Sequence, residues 1–138
     1  MDNDWDLVKT IDRVKITPRE LQLLTQTPTF LTKLFPTTIR NKISHIRQYE
    51  FAVKFIKGKK CLDAACGTGY GSEILRRNGN HVIGVDINPE NIDFARMSFS
   101  DNEYYVGNIE DLKYFQTRSL MLLCLFRRLS ICGTPKKL

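Results

Sequence analysis

The sequence predicts an α/β fold built on a parallel, doubly wound sheet, with helices leading into it. Three observations carry this expectation. After Gly58 the pattern changes from helical periodicity to short apolar runs alternating with helices, two of those runs close in an acid at Asp63 and Asp86, and a Gly67-Thr68-Gly69 turn links the first run to its helix. Parallel strands joined through helices wind right-handed and gather ligands at their carboxyl ends.

Taken in order, residues 1–16 show no clear periodicity and are expected to be loosely attached. Thr17-Pro18-Arg19-Glu20 sets Thr at an N-cap, Pro at the first helical position and Glu at the third, a capping box that opens a short helix through Leu21, Leu23 and Leu24. Pro28 ends it, and Pro36 bounds the turn-rich piece that follows. From Thr37 or Thr38, Ile39, Ile43, Ile46 and Val53 share one face of a helix whose expected stop is Gly58. Its other face, with Lys42, Arg47, Lys54 and Lys57, reads as solvated charge. Lys60 to Ala64 is the first strand, with Cys61 buried as a small hydrophobe. A helix runs from the glycine turn to about Asn78 and closes at Gly79. His81 to Asp86 is the second strand, Asn88-Pro89-Glu90 caps a helix to about Phe99, and Glu103 to Val106 is the third strand, ending at Gly107-Asn108-Ile109.

Composition narrows the function classes. With 42% apolar and 26% charged residues the chain is ordinary globular protein, and its 138 residues suit one domain. The net charge of +6 is uneven: residues 1–60 hold 12 basic and 6 acidic groups, residues 61–117 hold 4 and 9, and residues 118–138 hold 5 and none. No aromatic-interleaved basic motif accompanies the excess, so no nucleic-acid partner is expected. The longest apolar run, Leu120 to Phe126, falls far short of the roughly 20 residues of a membrane helix. The acidic start from Asp2 to Asp6 is unlike a secretory leader, so no membrane partner is expected and the location read from the sequence is cytoplasmic. Cys61, Cys66, Cys124 and Cys132 lack metal-ligand spacing, and His45 and His81 are the only histidines, so no metal site is expected.

Three features converge at the strands' carboxyl ends. The Gly67-Thr68-Gly69 turn lets a ligand approach backbone N–H groups at a helix start. Asp86, 19 residues after Gly67, is placed to accept from both hydroxyls of a ribose. Asn108 can offer an amide oxygen to an adenine amino group while the Ile109 N–H serves a ring nitrogen. Asp63 beneath the turn is a poor neighbour for a pyrophosphate and a suitable one for an ammonium or sulfonium group. Tyr49 and His45, on the helix before the first strand, read first as core residues.

At these residues the chain resembles the class I S-adenosylmethionine-dependent methyltransferases. The resemblance rests on Leu62-Asp63-Ala64-Ala65-Cys66-Gly67-Thr68-Gly69-Tyr70-Gly71, on Val82-Ile83-Gly84-Val85-Asp86-Ile87-Asn88-Pro89, and on Val106-Gly107-Asn108-Ile109-Glu110-Asp111-Leu112; the upstream His45-Ile46-Arg47-Gln48-Tyr49-Glu50-Phe51-Ala52 is similar to the helix preceding this motif. It implies a Rossmann-like fold and S-adenosylmethionine as cofactor. Asp63, Ala65, Cys66, Gly67 and Gly69 would surround its methionine part, Asp86 would hold the ribose, Ile87 would lie against the adenine, and Asn108 and Ile109 would meet the adenine edge. Ala65 stands where many members have Gly, and Asn108 where Asp is commoner. A nicotinamide dinucleotide site is the rival small-molecule reading; it prefers G-x-G-x-x-G, and the sixth position here is Ser72.

Members of the resembled family continue past the third strand, and this chain has room for about half of such a sheet. The expectation is therefore an incomplete doubly wound sheet: a helical lead-in at residues 1–36, a partial cofactor domain at 37–117, and an atypical tail at 118–138. The alternative is a fragment that binds cofactor and does no catalysis. The tail has six leucines and no acid in 21 residues. Permitted codons for Ser119 to Phe126, read two bases later, give Phe-Asp-Val-Val-Val-Ser-Phe, similar to the family's fourth strand, so the tail is read as an out-of-frame translation. The alternative is that Leu120 to Phe126 was selected as a strand or partner-binding segment; either way its apolar run is expected beside the first strand, which otherwise is an exposed edge. The residues name neither a methyl acceptor nor a catalytic base.

Overall fold

The computed structural model describes residues 15–108 and the backbone of Leu120–Leu123. Helix α1 (Pro18–Gln26) starts with the expected capping box: the Glu20 N–H donates to Thr17 Oγ1 at 3.2 Å, and the Thr17 N–H donates to Glu20 Oε2 at 2.9 Å. Such a cap stabilises a helix by about 1 kcal/mol. A 3-10 segment at Thr29–Leu34 leads to α2 (Thr37–Ala52), which buries Ile43, Ile46, Tyr49 and Ala52.

Helix α2 departs from expectation at its end. It stops at Ala52 and not near Gly58, and Val53 is only half-buried. The Lys54 and Phe55 N–H groups donate to the Phe51 and Ala52 carbonyls, a tightening that ends the α-helical ladder and leaves Ile56 in the core. Gly58 does adopt a positive φ of 65°, but in the loop to the first strand. The basic face is also less solvated than expected. Lys42 Nζ lies 2.9 Å from Glu20 Oε1, and Arg47 donates to the Thr27 carbonyl and pairs with Glu50, so two of its four cations tie α1 to α2.

The strands are β1 (Lys60–Ala64), β2 (His81–Asp86), β3 (Glu103–Val106) and β4 (Leu120–Leu123), all parallel in the order β3-β2-β1-β4. In register, Cys61 sits between Val82 and Met121. The outward winding from β1 to β3 reverses at β4, which makes the β1/β4 boundary a topological switch point. The apolar tail segment thus lies beside β1, as expected. Helices α3 (Tyr70–Arg77) and α4 (Pro89–Ser98) follow β1 and β2, and α4 is capped by Asn88, whose Oδ1 accepts from the Glu90 N–H at 2.9 Å.

One core joins these parts. Ile16 and Leu21 belong to the same apolar cluster as Ile46, Ile74, Leu75, Ile92 and Phe99. Ile16 is fully buried, which corrects its expected loose attachment: an isoleucine at the foot of α1 gains more by covering that core than by facing water. Residues 1–14 lie outside the described residues. Asn80, buried just before β2, accepts from the Lys59 N–H at 3.1 Å and donates to the Ile56 and Leu75 carbonyls at 3.2 and 2.9 Å, fastening three chain segments with one side chain.

Candidate functional site

The turn between β1 and α3 is built from the residues that the sequence singled out. Ala65 has a φ of 59°, a left-handed conformation that favours glycine. Gly67 (φ 57°) and Gly69 (φ 90°) differ in what surrounds them. A Cβ on Gly67 would meet nothing within 4 Å, so its bare backbone faces open space. A Cβ on Gly69 would come within 2.7 Å of Ala95 Cβ and 2.8 Å of Tyr104 Oη, so Gly69 is small because α4 and β3 press on it. The Tyr104 hydroxyl donates to the Gly69 carbonyl at 3.3 Å, and burial pushes its pKa up.

Asp86 ends β2 directly opposite this turn. Its Oδ2 accepts from the Gly67 N–H at 2.9 Å, while Oδ1 accepts from the Asn88 N–H at 2.9 Å and lies 3.5 Å from Asn91 Nδ2. Asp86 is itself buried, and a carboxylate's roughly four lone-pair directions leave about one beyond these three donors. Ile87 next to it is 63% exposed, and Asn108 is exposed after β3. The structure therefore brings Ala65, Gly67, Asp86 and Ile87 to one end of the sheet; Ile109 lies outside the described residues.

Asp63 and Cys66 are placed differently from a surface-facing ligand set. Asp63 is fully buried, and its carboxylate accepts from Tyr49 Oη at 3.1 Å and Ser72 Oγ at 2.7 Å. Burial raises its pKa to about 7, opposed by those two hydrogen bonds, with Asp86 adding a further upward push. Any action on a cation is through the turn and not by exposed contact. Cys66 is buried, its thiol pushed well up by burial and by Asp63 and Asp86, and its Sγ lies 3.7 Å from the Gly67 carbonyl inside the turn.

Tyr49 and Ser72 are the partners that sequence reasoning did not join to Asp63. The signal was present in Gly71: a Cβ there would fall 2.0 Å from Tyr49 Cζ, so this third glycine exists to admit the tyrosine ring. His45 lies above, with Nδ1 3.1 Å from Tyr70 Oη, and burial lowers its pKa. Among the described residues no group of three or more His, Cys, Asp or Glu could hold a metal ion, and no helix is long and apolar enough to cross a membrane.

Comparison with known proteins identifies the family. A family model described as a methyltransferase domain matches residues 62–135. Residues 118–135 of the tail fall inside that match as they stand. The chain is 40% identical over 55 residues to malonyl-[acyl-carrier protein] O-methyltransferase of Serratia marcescens, covering 40% of this chain and 22% of that protein. It is 39% identical over 61 residues to the ubiquinone biosynthesis O-methyltransferase of Xylella fastidiosa, covering 41% and 25%. The chain thus spans about a quarter of the length of the curated relatives it matches. A solved structure assigned as an RNA methyltransferase from Pyrococcus horikoshii superposes with a TM-score of 0.50 at 18% identity, over 78% of this chain and 58% of that one, and shows the fold. With more than half of its residues matched to the family, and a parallel sheet carrying the glycine turn and strand-tip acid in the same order, the chain belongs to the class I S-adenosylmethionine-dependent methyltransferases of Rossmann-like fold.

Proposed function

We propose that this chain carries the cofactor-binding part of an S-adenosylmethionine-dependent methyltransferase, with the site at the carboxyl ends of β1, β2 and β3. The observation that carries it is Asp86, held by the Gly67 and Asn88 N–H groups at the lip of a turn whose glycine faces open space. The residues fit the cofactor: a bare backbone for the methionine part, a strand-tip carboxylate with spare acceptor capacity for a ribose diol, and an exposed isoleucine for an adenine face. When bound, S-adenosylmethionine supplies an electrophilic methyl group on a sulfonium. This chain's own residues bind and orient: Gly67 admits the ligand to the backbone, Asp86 fixes the ribose, Ile87 covers the base, and Asn108 and Ile109 are assigned to the adenine edge. The Asp63 charge beneath the turn favours a cation there.

The matched segments cover about a quarter of those relatives, so the reading stops at methyl transfer and names no acceptor. The experiment is a thermal-shift comparison. S-adenosylhomocysteine at about 100 times its dissociation constant should stabilise the chain by about 2.7 kcal/mol, and Asp86→Ala should remove the shift. Stabilisation by NAD and not by S-adenosylhomocysteine refutes the assignment.

A further inference from the structure

The cofactor reading leaves one built feature unused. Tyr49 is buried on α2, its ring seated over the Cα of Gly71 and edge-on to Tyr70 with centroids 5.9 Å apart, and its hydroxyl ends on Asp63. Ser72 reaches the other side of the same carboxylate at 2.7 Å. Two hydroxyl donors on one buried acid, with a glycine kept bare to admit one of them, are more than packing requires. Hydroxyls donating to a carboxylate favour its ionised form, in a place where burial opposes ionisation.

We propose that Tyr49 is a positioning residue for the cofactor site: seated on Gly71, it joins Ser72 in fixing Asp63 beneath the glycine turn and so sets the pH range over which the turn takes a cationic ligand. This rests on the reading of the turn as the S-adenosylmethionine site. Among the described residues the titratable groups around Asp63 are Tyr49 from α2, Cys61 and Cys66 from β1 and its turn, Asp86 from β2 and Tyr104 from β3, all of them acids. The carboxyl, with its pKa raised to about 7, is therefore near half-ionised at neutral pH. An arriving sulfonium and ammonium favour the ionised form, and the proton leaves to solvent. The hydrogen bond from Tyr49 lowers the pKa against burial, so its loss raises the pH at which the site becomes anionic.

The test measures S-adenosylmethionine affinity by calorimetry from pH 6 to pH 8, and the Asp63 carboxyl titration by carbon-13 NMR, in the unsubstituted chain and in Tyr49→Phe. The Asp63 signal is assigned by its disappearance in Asp63→Asn. In the unsubstituted chain affinity should rise about tenfold across this range. In Tyr49→Phe the titration midpoint should move up by about one pH unit and the affinity at pH 7 should fall about fivefold, the worth of one hydrogen bond to a buried charge. A Tyr49→Phe chain that melts lower but keeps the same midpoint overturns the proposal, because a purely packing role moves stability alone. An unsubstituted chain that binds no S-adenosylmethionine at any pH, while the midpoint still moves in Tyr49→Phe, supports the coupling and overturns the cofactor reading alone.

Discussion

Gly71→Ala isolates the contact that joins α2 to the site. The added Cβ would lie 2.0 Å from Tyr49 Cζ and 2.3 Å from both Cε atoms, where unstrained carbon contacts need about 3.5 Å. The ring cannot retreat cheaply, since it is 2% exposed and packed against Tyr70. Overpacking of this kind costs about 1–3 kcal/mol. Displacing the hydroxyl from Asp63 adds about 1.5–3 kcal/mol, and the helix preference of Ala over Gly returns about 1 kcal/mol. The expected net loss is about 3 kcal/mol, a large part of the roughly 5–15 kcal/mol that holds such a domain. Urea unfolding followed by circular dichroism reads it directly. In a Tyr49→Ala background the clash and the hydrogen bond are both gone, so the same substitution should stabilise by up to about 1 kcal/mol; the difference is the coupling between the two positions. A Gly71→Ala chain as stable as the unsubstituted one refutes the reasoning.

Three further outcomes follow from the same geometry. Ala65→Gly relieves a left-handed residue, at a cost in unfolded-chain entropy, and should raise stability by about 0.5–1 kcal/mol in thermal unfolding; a lower melting temperature counts against the strain. Asn80→Ala leaves the Lys59 N–H and two carbonyls without their shared partner and should cost about 2–3 kcal/mol, against a near-neutral change if those bonds are incidental. Asp63 is held protonated in the folded chain well above its ordinary pKa of 3.8, so the stability it contributes is complete below pH 3.8 and is lost as pH rises toward about 7. Unfolding free energy should therefore fall across that interval, and Asp63→Asn should flatten the slope; an unchanged slope removes Asp63 as its source.

Local chemistry was legible in the residues themselves. The Thr17/Glu20 capping box, the Asn88 cap and the β1, β2 and β3 spans follow from near-neighbour rules and short apolar runs, which act over a few residues and leave their mark in order along the chain. The clustering of Gly67 and Asp86 was also readable, because parallel winding brings successive strand tips to one end. Helix α2 was misread at its end because Ile56 is drawn into a core assembled from distant segments, a pull that no periodicity records.

What only the tertiary structure decided is how the three glycines and two acids divide their work. In sequence Gly67, Gly69 and Gly71 look alike, yet Gly67 borders open space, Gly69 yields to Ala95 and Tyr104, and Gly71 yields to Tyr49. Asp63 and Asp86 are both buried near strand ends, yet one is held by two side-chain hydroxyls and the other by the Gly67 and Asn88 N–H groups. The type of residue at a strand tip follows from composition and spacing; its surroundings come from α2, α3, α4 and β3, whose side chains arrive from 9 to 35 residues away in the chain. Burial and partner hydroxyls, fixed by that packing, oppose each other at Asp63 and so set the charge that lies beneath the glycine turn.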